Sequence, residues 1–254
     1  MSAQIIDDQT DRRCHTLISR AGEMRLQDDV RQRQQRLWNQ RIPSSSGIFL
    51  TFNMYDRIIS PMNKLSNREK ILVAGLKLVH ERGFGGASVR DIIEAAGVPL
   101  GSFTNHFASK EAFGLEILNL YFARTREILA QTLLNDALPP LQRLHDYIKA
   151  NTKTAQQEGA KIGCLLGNFS AETSFASDAI RHRLVEIFNE IQQAVEYCLQ
   201  AAVASGDLPA ATECEDIAAL IVSSLQGAIL LAKAYRNSEP TDQFERTLFS
   251  AILR

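Results

Sequence analysis

SNREKILVAGLKLVHERGFGGASVRDIIEAAGVPLGSFTNHF, residues 66–107, decides the fold. Ser66 followed by Glu69 ahead of an apolar run has the form of a capping box and predicts a first helix beginning at Asn67. Ile71, Leu72, Ala74, Leu76, Leu78 and Val79 then supply a broad apolar stripe at helical spacing. Gly83 is placed to stop that helix in a left-handed conformation, and Phe84 is expected to fold back beneath it as a core anchor. Ser88 with Asp91 opens a second helix over Val89–Ala96, whose Val89, Ile92, Ile93 and Ala96 share one face. Gly97 ends it, and after Pro99 a third helix is expected over Leu100–His106. Two helices of under three turns joined by a glycine-containing turn form a helix-turn-helix pattern. Helices shorter than ~12 residues are marginal alone in water, so the first helix must cover the other two.

The third helix carries Gly101, Ser102, Thr104, Asn105 and His106 around an inward Phe103. Short polar side chains on a helix can reach base edges and phosphates in a major groove, and Gly101 permits close backbone approach. On spacing alone the same stretch also suits a three-helix packing unit with a polar face.

Residues 66–113 resemble the DNA-binding domain of the TetR family of bacterial transcriptional repressors. The matching pieces are RGF at Arg82–Phe84, the S-V-R-D-I cap and helix, AAGVPLGSF, and the closing HFASKEAF. The resemblance implies a dimer on a palindromic double-stranded operator, released by a small-molecule effector. It also implies DNA contacts from Ser88, Arg90, Leu100, Gly101, Ser102, Thr104, Asn105, His106 and Lys110. Two positions depart from the family: Thr104 stands where a phosphate-contacting Tyr is usual, and Leu100 where Lys is common. Both departures weaken the usual backbone contacts.

Composition fits an ordinary globular protein, with 45% hydrophobic and 22% charged residues. The chain reads as having no apolar run near the ~18 residues of a membrane span, and its first ten residues are too polar for a secretory signal. A cytoplasmic protein outside the membrane is expected. Cys14, Cys164, Cys198 and Cys214 form no CxxC pair and no zinc spacing, so neither a metal nor a cofactor is expected. The net charge of -1 hides an asymmetry. Residues 62–111 hold seven Lys/Arg against five Asp/Glu, and residues 112–254 hold twelve against seventeen. A basic head on an acidic body suits a protein that meets DNA through one end, although this excess is small.

Three regions follow: an N-terminal extension over 1–61 expected to be poorly ordered, a helix-turn-helix domain over 62–111, and an effector-binding and dimerisation domain over 112–254. The extension has nine Arg, no Lys and seven acids. It reads either as a basic arm for DNA or as a leader outside the functional fold, with Met62 as the start. The near balance of charge favours the leader. Downstream, Ser109 caps a long helix running to about Leu134, and Pro139-Pro140 opens another with Leu141, Leu144, Tyr147 and Ile148 inward. Helices over 178–204, 216–236 and 242–253 complete an all-α fold: a three-helix head on an all-helical body. In the resemblance, the first two of those pair with their symmetry mates as a four-helix bundle.

Residues 161–176, KIGCLLGNFSAETSFA, hold the candidate sensor. Cys164 is expected in an apolar helical setting, where a buried cysteine usually acts as a small hydrophobe. A nearby helix N-terminus or cation would instead favour reactivity, and Gly163 and Lys161 make such a setting available. GCLLGNFSAE is similar to the N-ethylmaleimide-reductase-type branch of the family, where a Cys after Gly senses electrophiles or oxidants. That resemblance makes Cys164 the candidate sensing residue. An enzyme using Cys164 as nucleophile is the poorer reading, because no histidine lies in a recognisable base motif. A DNA binder with no effector is the third.

Overall fold

Serine side-chain caps open four of the helices. The computed structural model describes residues 65–173 and 177–253, with the side chains of 154–160 excepted. The N-terminal extension lies outside the described residues. Helix α1 spans Asn67–Arg82, and its capping box is complete: Ser66 Oγ accepts from Glu69 N, and Ser66 N donates to Glu69 Oε2 at 2.8 Å. The Ser66 hydroxyl, which donates to Glu69 Oε2 at 2.8 Å, and the Ser66 N–H hold the Glu69 carboxyl below its usual range. Helix α2, Val89–Ala96, repeats the device with Ser88 and Asp91, and Gly97 closes it in the left-handed region at φ 64°.

Helix α3 covers only Ser102–His106. Leu100 and Gly101 belong to a turn instead, because Ser102 N donates back to Pro99 O at 2.9 Å before the helix begins. The three helices close around Phe103, Phe107 and Phe113, whose ring centroids lie 5.1–5.4 Å apart. Gly75 on α1 makes room for them: a Cβ there would stand 2.3 Å from Phe113 Cζ.

Helix α4, Lys110–Gln131, leaves the head with Ser109 as its cap and stops slightly before the expected end, at Thr132. The body continues with α5 (Pro140–Ala160), α6 (Leu165–Thr173), α7 (Asp178–Ser205), α8 (Cys214–Tyr235) and α9 (Glu239–Thr247). Helix α7 packs on α4, α5, α6 and α8, and α8 also packs on α5 and α9. Its expected face is inside: Leu184, Ile187, Ile191, Val195 and Leu199 are all buried. The last helix differs from expectation. Pro240 lets α9 start at Glu239, and the chain then widens into a π-helical turn over Leu248–Ile252, with Leu253 N on Leu248 O. The described residues contain helices and no strand.

Helix α8 corrects the expectation about apolar runs. By length and composition it could cross a membrane, with a mean hydropathy of 1.8. Its composition has a packing explanation. Ala218, Ile221, Val222, Leu225, Ile229 and Ala232 face the body, while Leu220, Leu230, Leu231 and Tyr235 stand 45–65% exposed. An apolar groove of about 400 Å³ runs beside them between α8 and the α9 end, past Leu220, Leu231 and Phe244.

Candidate functional site

The turn before α3 and the outer side of α3 form one exposed patch. Leu100, Gly101, Thr104, Asn105 and His106 are all exposed, with Arg90 of α2 exposed as well. Phe103, 4% exposed, is the anchor that sets this orientation. Ser102 does not belong to the patch. It is buried at 7% exposure, because a five-residue helix held by one ring turns its first position inward beside that ring. Ser88 is exposed, but its hydroxyl is engaged in the α2 cap, donating to Asp91 Oδ2 at 2.5 Å. Lys110 is half-buried, with its ammonium 4.8 Å above the Phe84 ring. Thr104 Oγ1 donates to Gly101 O at 3.1 Å.

Phe84 does not tuck under α1. Its ring lies 5.0 Å from that of Phe169 on α6 and against Gly114 of α4, so it spans head and body. Gly83 explains the swing: its φ of 81° and ψ of 162° turn the chain through a conformation that side-chain-bearing residues avoid.

The segment from Gly163 through α6 meets the head at three points. At its start, His80 Nε2 on α1 donates to Gly163 O at 3.0 Å. Burial pushes His80 down to about 4, so the imidazole is neutral near pH 7. Midway, Phe169 meets Phe84; at the far end, Glu172 Oε2 accepts from Gly85 N at 2.8 Å. The Glu172 carboxylate lies so close to Gly83 that a Cβ there would meet it at 2.3 Å.

Cys164 stands at the head of this helix and not inside it. Its carbonyl accepts the first helical hydrogen bond, from Asn168 N at 3.0 Å. From that position a helix favours a negative charge. Cys164 is half-buried, with Tyr121 Oη 4.0 Å from its sulfur. Burial raises the Tyr147 phenol above its usual range, with Cys164 close enough to add to the effect. Lys233 of α8 donates to Asn168 Oδ1 at 3.1 Å, and Asn168 Nδ2 donates to Ile162 O at 3.2 Å. Cys198 is a different kind of cysteine. It is buried, donates to Pro140 O at 3.1 Å, and burial pushes its thiol up to about 12. Among the described residues no three His, Cys, Asp or Glu side chains cluster to hold a metal.

Sequence reasoning assigned no role to His80, Tyr121, Lys233 or Glu172, and read Tyr147 only as an inward residue of its helix. Only His80 left a signal: it extends the row of Leu72 and Leu76 by one more turn, a polar residue on a buried stripe. The others come from helices far apart in sequence.

Residues 71–117 match the family model described as bacterial regulatory proteins, tetR family. Residues 140–248 match the tetracyclin repressor-like C-terminal domain. The HTH-type transcriptional repressor DhaR of Mycobacterium sp. strain GP1 is 38% identical, over 73% of this chain and 92% of its own. A crystal structure of a TetR regulatory protein from Rhodobacter sphaeroides superposes with a TM-score of 0.68 at 30% identity, covering 71% of this chain and 96% of that one. The reduced form of Escherichia coli NemR gives 0.66 at 28%, covering 72% and 94%. Regulators of this kind bind operator DNA, usually as dimers and with small-molecule effectors. With both domains matched in order and a relative this similar across nearly its whole length, the chain belongs to the TetR family of DNA-binding transcriptional regulators.

Proposed function

We propose that this regulator is a dimeric repressor that reads a palindromic operator through the exposed turn and outer side of α3, and lets go when an electrophile or oxidant modifies Cys164. The division of labour follows the chain, with the head over 62–111 reading DNA and the body over 112–254 sensing and dimerising. Its work would be on cytoplasmic DNA. The exposed leucines of α8 and the groove beside them are the surface on which a second copy would pack.

The observation that carries this reading is the attachment of α6. One helix starts at the partly accessible Cys164 and touches the head through His80, Phe84 and Gly85. A group added to the sulfur must displace the start of α6 or its neighbours Tyr121 and Tyr147, and α6 cannot shift without straining its contacts with α1 and the RGFGG loop. Release of ~100-fold requires the modified state to disfavour operator by about 3 kcal/mol, within the usual size of allosteric coupling. Arg90, Gly101, Thr104, Asn105 and His106 then act at the DNA surface. Leu100 adds an apolar contact, and Lys110 reaches a phosphate by leaving the Phe84 ring. Ser88 and Ser102 act indirectly, as cap and packing residue.

A gel shift on the DNA upstream of the gene tests this, with and without N-ethylmaleimide. Wild-type protein should bind and be released, Cys164→Ser should bind and stay bound, and Asn105→Ala should bind weakly while melting normally. Release of the Cys164→Ser variant under the same treatment would return Cys164 to the core and leave a non-covalent effector in its place.

A further inference from the structure

We propose that Leu100 and Thr104 form an apolar edge of the reading surface that selects thymine by its C5-methyl group. Leu100 is 68% exposed, and it is the one large hydrophobic residue of the head so exposed among the described residues. The other such residues belong to the body, and four of the five lie on α8, beside its apolar groove. Nothing in the head covers Leu100. It sits at the protruding turn between α2 and α3, between exposed Pro99 and Gly101. At Gly101 no atom beyond its own chain neighbours lies within 4 Å of where a Cβ would be, so another molecule can approach the backbone closely.

Thr104 lies four residues on and is exposed as well. Its hydroxyl proton is directed back into the turn, onto Gly101 O at 3.1 Å. What Thr104 then offers outward is mainly its methyl group. Next to this edge, exposed Asn105 and His106 supply hydrogen-bonding groups. The patch therefore has an apolar side and a polar side within one turn of chain.

In the major groove only thymine presents a methyl group, and leucine has no donor or acceptor with which to read any other feature of a base. The favourable contact an aliphatic side chain can make there is burial of that methyl. At ~0.8 kcal/mol per buried carbon, each such contact is worth about four-fold in affinity. The proposal rests on DNA reading by this head, and it specifies what one side of the surface reads.

The test is a uracil scan. Duplexes selected from a random pool by the full-length protein supply the site, and each thymine is then replaced singly by uracil, which removes only the methyl. At one thymine in each half-site, uracil should weaken wild-type binding about four-fold and leave Leu100→Ala indifferent. At a second thymine, Thr104→Ser should become indifferent in the same way, because it keeps the hydroxyl and loses the methyl. Melting curves should match the wild type, since both side chains are exposed. Wild-type binding that no uracil weakens overturns the proposal, as does a uracil effect retained in full by Leu100→Ala. Failure of the pool to yield any preferred sequence would overturn sequence reading by the head as a whole, a different result from a defined site insensitive to uracil.

Discussion

Helices α3 and α6 are both too short to hold their shape alone, and they obtain support in opposite ways. Helix α3 hangs on one buried ring, Phe103, and leaves most of its surface to solvent. Helix α6 buries Leu165, Leu166, Phe169 and Thr173, and hydrogen bonds to the head flank it, at Gly163 just before it and at Glu172 near its end. The difference separates two tasks. A reading surface works best when its outer residues contribute nothing to the fold, so that they are available to a partner. A transmitting element needs the reverse, because it carries displacement only through groups that are already engaged.

The contrast can be broken first at Phe103. Phe103→Ala should cost about 3–5 kcal/mol, the usual price of deleting a buried aromatic ring, and abolish DNA binding with it. Urea unfolding followed by circular dichroism measures the loss. A protein that tolerates the change with its midpoint unmoved would mean α3 has other support.

Next comes His80, the contact at the start of α6. Its folded value near 4 lies below the 6.5 of an unfolded histidine, through burial. As pH falls below 6.5 the unfolded chain therefore takes up a proton that the folded chain refuses. Stability complete above that pH should decline by roughly 1.4 kcal/mol per unit, to about 3 kcal/mol lost near pH 4. His80→Gln keeps an N–H for Gly163 O and should flatten this part of the profile. Parallel profiles for the two proteins would show that the imidazole is not shielded.

Glu172 sharpens the comparison at the other end of α6. Glu172→Ala removes the acceptor for Gly85 N and should cost about 1 kcal/mol of stability. Operator release on alkylation should weaken with it, although Cys164 labels as before by mass spectrometry. Glu172→Gln keeps an acceptor oxygen and should retain most of the response. Equal release in all three proteins would remove this end of α6 from the transmission path.

The smallest effect belongs to Lys110. Lys110→Ala should lower operator affinity several-fold on every sequence and reduce the salt slope by about one. A sequence-dependent loss, with the slope unchanged, would mean that this lysine does not meet a phosphate.

Local chemistry by itself determined where α1, α2, α4 and α7 begin. Each begins at a serine whose hydroxyl accepts a backbone N–H three residues on, a contact with no need of the rest of the chain. The same holds for the inward faces of those helices, since periodicity alone reports which side must leave water. The head's family resemblance was legible for a related reason: its caps, turn glycines and Phe103 lie within forty-two consecutive residues, 66–107. Tertiary structure alone decided three things. Ser102 went inward because the turn on Pro99 delayed α3 by two residues. Phe84 left the head because Gly83 directs the chain toward α6. Cys164 came to head a helix, near Tyr121, Tyr147 and Lys233, because α4, α5 and α8 converge there. Those contacts join residues more than sixty positions apart in several cases, such as Lys233 with Asn168 and His80 with Gly163. No periodicity encodes them, because they depend on how whole helices pack and not on what each helix is.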